Sequence, residues 1–393
     1  MRSYRELYRT PEFTPLFVTV STQIAAVTVT GLALATLVFA ATGSPLLSAL
    51  SMFGPSIAQV LGATLFLSAA DRLPPRAAIT GLALVGCVST AALALPGLPV
   101  GALFAIVLVQ GLVGSVGGGV RYGLLSEILP EDGYLLGRSV LNMSSGITQV
   151  CGFAAGGLLV TFLSPRGTLL AGAGLYLLAA ASARLGLARR PPRAAGRPSI
   201  AQTWRTNARL WSSVQRRTVY VANWVPNGLV VGCEALFVPY APHRAGVLLS
   251  VAAAGMLLGD VVVGRFVPFA LRLRLAPVLR LLLPAPYLMF AAHPPLALAL
   301  VAVGLASVGF SASLLLQERL MALTPDDMHG QALGLDNSGM LTMQAAGAAL
   351  AGAVAQQTSP ATAITVMAAL SATVTLALAP GLRPTPPRPP TNP

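Results

Sequence analysis

Lysine is absent from this chain: all 25 basic residues are arginine, an imbalance we read as codon bias and not as function. With no lysine there is no phosphate-cradling glycine loop completed by that residue, which argues against ATP-driven work by this chain alone. Charge of either sign is scarce. Charged residues make up 9% of the sequence, against about 25% in soluble domains, so the chain cannot clothe a water-facing surface. The three cysteines, Cys87, Cys151 and Cys233, each sit inside an apolar run. They have no metal-site spacing and make a disulfide framework an unsuitable reading. The three histidines, His243, His293 and His329, are separated in sequence at loops or helix ends. No catalytic set, cofactor site or metal site is visible, and an enzyme is not expected.

What is abundant is apolar length. Apolar residues account for 55% of the chain and mean hydropathy is +0.74. A helix needs about 20 apolar residues to cross hydrocarbon. Twelve segments meet that rule: 15–40, 44–70, 77–96, 98–120, 138–163, 167–187, 219–242, 245–264, 275–292, 296–317, 332–356 and 361–381. The breaks carry loop chemistry, as at Gly43-Ser44, Pro74-Pro75, Ser164-Pro165 and Ser359-Pro360. Residues 1–15 are too polar to insert, and the first apolar run has no clear cleavage site behind it, so it reads as an uncleaved first span. The net charge of +13 would suit nucleic acid, but the arginines lie mostly between apolar runs and report orientation instead. With the amino terminus inside, the outer loops keep only Arg166 and Arg244. Both termini are therefore expected in the cytoplasm, with the protein in the inner membrane of a bacterium.

The second half repeats the first. Pro130, Asp132, Asn142, Gln149, Gly152 and Gly157 recur, 195 positions on, as Pro325, Asp327, Asn337, Gln344, Gly347 and Gly352. Internal repeats in so apolar a chain are how secondary transporters are built, with a site between two similar bundles. The expected organisation is a first six-helix bundle at 1–187, a basic linker at 188–217, a second six-helix bundle at 218–382 and a Pro-rich disordered tail at 383–393. Within the linker Ile200, Trp204, Ala208, Trp211 and Val214 recur at helical spacing, which predicts an amphipathic helix on the inner leaflet joining the halves.

Twelve spans, a six-plus-six repeat and a basic central loop resemble the major facilitator superfamily, in particular its bacterial drug and metabolite exporters. Between spans two and three the run Asp71-Arg72-Leu73-Pro74-Pro75-Arg76 keeps that family's Asp-Arg pair and a basic residue, without its leading glycine. The matching place in the second half offers Gly259, Asp260, Gly264 and Arg265. The resemblance implies a cytoplasmic gate formed by Asp71, Arg72, Arg76, Asp260 and Arg265. In span five, Gly152-Phe153-Ala154-Ala155-Gly156-Gly157 is similar to the family's antiporter motif, with Phe in place of Pro. Gly152 with Gly156, and Gly255 with Gly259, are spaced for close helix approach, and the resemblance implies that spans five and eight face each other. In span four Gln110-Gly111 is present, but Val107 stands where many proton-driven relatives carry arginine.

An ionisable group in hydrocarbon is costly and usually has a job. Glu234, in span seven, is the candidate for proton coupling or for pairing with substrate. Asp336 reads as hydrated near the inner surface, Arg280 as a side chain reaching to the inner headgroups, and Glu318-Arg319 as a gate element pairing with a neighbouring loop. Gln23, Thr28, Gln110, Asn142, Gln149, Asn223, Asn227, Asn337 and Gln344 are candidates to line the cavity or to bond helix to helix. The expected protein is a monomeric secondary transporter in the lipid bilayer, exporting a small, largely hydrophobic molecule by alternating access, with the proton as coupling ion. Nutrient uptake by proton symport, a membrane-embedded transferase and a transport-dead sensor are the alternatives.

Overall fold

A computed structural model of the chain describes residues 4–65, 73–192 and 200–382. Among the described residues every element is helical. The apolar runs become spans 1 (Phe13–Thr42), 2 (Pro45–Leu65), 3 (Pro75–Leu93) and 4 (Val100–Ile128). A single helical run, Glu131–Gly186, follows. At about 1.5 Å per residue its 56 residues would reach far beyond the roughly 30 Å of a hydrocarbon core. It is two spans: Ser164 takes a left-handed φ of 70° just before Pro165 and turns the chain, so 131–163 is span 5 and 165–186 is span 6. Pro165 fits this place because its fixed φ and missing N–H suit the first turn of a new helix. The second half holds spans 7 (Val214–Tyr240), 8 (Ala245–Phe266), 9 (Arg274–Ala292), 10 (Leu296–Ala322), 11 (His329–Gln357) and 12 (Pro360–Leu378). Among the described residues there are thus twelve apolar helical spans, six in each half.

Several spans run past their apolar cores. Span 4 continues to Ile128 because Val120, Leu124 and Leu125 are buried against the first half, although the hydropathy fades at Arg121. It is interrupted at Ser115 and Val116, where two helices meet end to end. Span 9 changes character at Pro284 and finishes as a 3₁₀ helix, Ala285–Ala292.

The ends of the spans define two sides. The leading helix Tyr4–Arg9, the linker helix Ile200–Ser212 and the turn at 323–328 lie on one, the linker side. The turns at Gly43-Ser44, Ser164, 241–244, 293–295 and Thr358-Ser359 lie on the other, the far side. The halves meet chiefly where span 5 packs on span 8 and span 2 on span 11. At the far side the approach is close. A Cβ on Gly157 would come within 3.0 Å of the Gly246 Cα, and one on Gly352 within 2.6 Å of the Leu46 Cα. Ser44 donates a hydrogen bond to Gln356 across the seam, at 2.8 Å. One buried cluster joins Leu32, Ala35 and Phe153 of the first half to Leu229, Val230 and Leu248 of the second. With no hydrophobic force between helices in lipid, such contact of small residues is what holds the seam.

Candidate functional site

Toward the linker side, side chains that the repeat places in corresponding positions are open. Asn142, Gln149 and Asn337 are exposed and Gln344 and Gln23 are half-buried. The Tyr122 hydroxyl donates to Asn142 Oδ1 at 3.0 Å, and the guanidiniums of Arg121 and Arg138 lie 5.7 and 5.5 Å from the Tyr122 ring centre, within cation–π range. One turn further along span 5, Gly146 faces the Leu257 side chain of span 8. The two halves therefore seal at the far side and present polar faces on the linker side.

Other predicted cavity residues are tied into helix contacts. Thr28 donates back to the Ile24 carbonyl at 2.7 Å and its side chain lies against Gly152. Gln110 donates to Ser89 (2.6 Å) and Thr90 (3.2 Å) of span 3. Asn223 and Asn227 are buried inside the second half, where Asn227 donates to Ser313 of span 10 at 3.0 Å.

Asn223 leads to a centre that the sequence reading misplaced. Asp336, expected to be hydrated, is 3% exposed. Its carboxylate accepts from Asn223 Nδ2 at 3.1 Å to each oxygen, from Trp224 Nε1 at 2.9 Å and from Gln317 Nε2 at 3.2 Å. Spans 7, 10 and 11 are thereby fastened by one acid held entirely by neutral donors, the usual requirement for burying a charged or polar group. Gly339 lets the Trp224 ring lie flat on span 11. Trp211 of the linker helix stacks on Trp224 at 5.6 Å and 13°, and Gln331 donates to Asn207 at 2.6 Å. The linker helix is thus docked on the second half. Trp204 of its apolar stripe stays exposed, at 64%, as does Val214, which falls at the start of span 7 instead. Arg280 is also a correction. It is buried, not reaching outward, and donates to the Thr375 carbonyl of span 12 at 3.2 Å.

Of the predicted gate residues, Asp71 and Arg72 lie outside the described residues. Asp260 and Arg265 are exposed and not paired with each other. Arg76 has its Nε buried without a hydrogen-bond partner. The ion pairs on this side use other residues. Arg190 pairs with Glu12 at 2.6 Å and with Glu127 at 3.4 Å, while the Ala188 N–H also donates to Glu12 at 2.9 Å. The hydrogen bond from Arg190 holds the Glu12 carboxyl below its ordinary range, against the opposing effect of partial burial. In the second half Arg272 pairs with Glu318 and donates to the Val267 and Gly264 carbonyls. A pairing of Glu318 was expected; the identity of Arg272 was not.

The predicted packing glycines sit at close contacts, but with other partners than expected. Gly152 and Gly156 meet Thr28, Val29 and Leu32 of span 1, whereas Gly255 and Gly259 meet Gly304, Ser307, Val308 and Ser311 of span 10. Spans 5 and 8 do meet, with Gly157 against Gly246 and Gly146 against Leu257.

Glu234 lies one residue before the end of the helix Val214–Ala235 and is 6% exposed. It faces inward, toward Tyr287 of span 9, with which it interacts electrostatically. Among the described residues no group of His, Cys, Asp and Glu is arranged to hold a metal.

This architecture is shared. The family model of the Major Facilitator Superfamily matches residues 16–315, and the chain belongs to that superfamily: it is a multi-pass membrane transporter, not an enzyme. No curated protein matches the sequence. Among solved structures, a mutant form of the nucleoside transporter NupG is similar, with a TM-score of 0.78 and 13% identity over 94% of this chain and 100% of that one. A POT family transporter in complex with 5-aminolevulinic acid gives 0.76 and 12%, over 93% and 95%. A bacterial homolog of the human lysosomal transporter Spinster, inward-facing and unoccupied, gives 0.70 and 12%, over 96% and 99%. At these identities the likeness is one of fold.

Proposed function

We propose that the protein is a secondary active transporter that exports a small, largely hydrophobic molecule by alternating access, driven by proton antiport. The observation that carries this reading is the one-sided seam. The halves are packed glycine to backbone at the far side while matched polar residues are open on the linker side, which is one end state of a rocking pair of bundles. The linker side is the cytoplasm of a bacterial inner membrane in this reading, in keeping with the arginine distribution. Residues 1–187 and 218–382 are the two moving bodies, joined by 188–217, and the chain works as a monomer. An apolar chain with sparse charge suits an apolar solute, and Glu234 is the acid that exchanges the proton. The cytoplasmic gate that closes in the opposite state draws on Asp71, Arg72, Arg76, Asp260 and Arg265.

Reconstituted vesicles test this directly. A fluorescent hydrophobic dye should be pumped against its gradient on a pH step of one sign only, and Glu234→Gln should reduce that flux to the level of protein-free vesicles while the protein still elutes as a folded species. Dye movement in E234Q that still responds to the pH step would refute the assignment. Accumulation driven by the opposite gradient would make the protein an uptake symporter.

A further inference from the structure

All three tryptophans of the chain, Trp204, Trp211 and Trp224, stand where the linker helix meets span 7. Trp211 stacks on Trp224 and, at 6.2 Å, on Tyr220. Arg216 closes the end of the linker helix. Its Nε and Nη2 donate to the Leu210 and Arg209 carbonyls at 3.1 and 2.9 Å, and its Nη1 to the Leu323 carbonyl at 3.0 Å, so a cation meets the carbonyls that a helix terminus leaves open. Only Ser213 separates this helix from span 7. Asn207 is bonded to Gln331, in the first turn of span 11. The linker helix is therefore pinned to the linker-side ends of two spans, at the level where the apolar core gives way to water.

Residues three and four apart on a helix share a face, and the described side chains of this helix fall into three rows. Asn207, half-buried, and Leu210, buried, belong to the row turned toward the second half. Trp204 and Ala208, continued by Trp211, form the next row, which is exposed. Arg205 and Arg209 form the third, also exposed. The helix thus docks by the flank of its apolar stripe and leaves Trp204 and Ala208 outside. Trp204 lies beyond every apolar span, so its exposure is not that of a span facing hydrocarbon. An open tryptophan beside arginines is the composition of a helix at a membrane interface, where an amphipathic ring sits among headgroups.

The sign of the charge selects the surface. Residues 188–217 carry eight arginines and no acidic residue. Among the described residues no carboxylate pairs with Arg205, Arg209 or Arg217. Arg205 and Arg209 are four apart, a spacing at which like charges weaken an isolated helix. Anionic headgroups supply the missing counter-charge, and an anionic leaflet attracts basic segments next to a span. A zwitterionic surface offers Trp204 an apolar contact but gives the arginines no net attraction.

We propose that the Trp204–Ala208 row, flanked by Arg205 and Arg209, is a docking surface for anionic phospholipids of the linker-side leaflet, and that docking there holds the linker helix on span 7. The hold passes inward through Trp211 and Trp224 to Asp336, the acid that fastens spans 7, 10 and 11. Leaflet composition thereby sets how firmly the linker is tied to the second half, whichever way the solute moves and whatever ion drives it.

Tryptophan fluorescence of the full chain in nanodiscs tests this without a known substrate. The discs hold phosphatidylcholine with a minority of phosphatidylglycerol, and bromine is carried on the acyl chains of one lipid or the other. The Trp204 signal is the difference between the parent and Trp204→Phe. Brominated phosphatidylglycerol should quench that signal beyond its share of the lipid. Raising salt from about 0.1 to about 1 M, which shortens the screening length from about 10 to about 3 Å, should remove the excess. Arg205→Gln and Arg209→Gln should each lower the preference for phosphatidylglycerol about fivefold; the salt series uses the parent and needs neither variant to fold. In the same discs the amides of residues 200–212 should exchange more slowly than in phosphatidylcholine alone. Quenching by each lipid in proportion to its share would overturn the anionic preference. Absence of quenching by either lipid would place Trp204 away from the membrane and overturn the docking surface. Exchange at 200–212 that ignores phosphatidylglycerol would overturn the hold on the linker helix.

Discussion

Arg190 is the residue that organises the linker side of the first half. Its guanidinium reaches Glu12 at the start of span 1 and Glu127 at the end of span 4, just beyond the end of span 6. Because this pairing lowers the Glu12 pKa, it has a defined sign with pH. A depressed carboxyl stabilises the fold above its ordinary value of about 4.3 and loses that contribution as pH falls through its lower folded value. Glu12→Gln should therefore lower the melting temperature at neutral pH, by an amount corresponding to no more than about 1 kcal/mol for a pair at the surface. The gap to the parent should close in acid. A gap that is constant from neutral to acid pH would show that the pair does not act through charge. Glu234 was legible in the sequence because an acid in an apolar run is conspicuous. Asp336 was not. It stands near a span end, where hydration is the ordinary expectation, and its donors Asn223, Trp224 and Gln317 come from two other spans. No local spacing announces that they converge.

At the scale of the element, the spans were readable because apolar length is a local property. Their ends were less so, because packing extends a helix past its hydropathy, as Val120 and Leu124 do in span 4. Ser164-Pro165 was readable as a break, since loop chemistry is written in the residue types. Helix partners were not. A glycine pair declares that something approaches closely, but which helix approaches depends on the rotation of the whole span. This is why Gly152 and Gly156 pack on span 1 while Gly157, the next residue along, meets span 8. Gly246 offers the sharpest test. A Cβ there would lie 2.9 Å from the Phe153 carbonyl oxygen and 3.1 Å from the Gly157 nitrogen, backbone atoms that cannot turn aside. Gly246→Val should cost about 1–3 kcal/mol in overpacking and should raise the reactivity of Ser44→Cys toward an impermeant maleimide added from the far side. Unaltered reactivity would mean that this contact does not seal the far side.

For the molecule as a whole, the twofold plan was legible because the repeat preserves Pro, Asp, Asn, Gln and Gly at one constant offset. The state of the cleft was not, because the same residues must serve two arrangements and the sequence carries no mark of which is occupied. The structure shows the arrangement closed at the far side. Alternating access requires a second one, with the far side parted and the linker side closed. Paired spin labels in place of Ser44 and Gln356 report the far side, and labels in place of Leu135 and Phe266 report the linker side, with Cys87 and Cys151 replaced by serine. Distances measured by electron–electron dipolar spectroscopy in nanodiscs, across pH, should show two populations for each pair. The far-side distance should lengthen under the conditions that shorten the linker-side distance. A single unchanging far-side distance under every condition, or two pairs that lengthen together, would contradict the rocking of two bundles about a shared site.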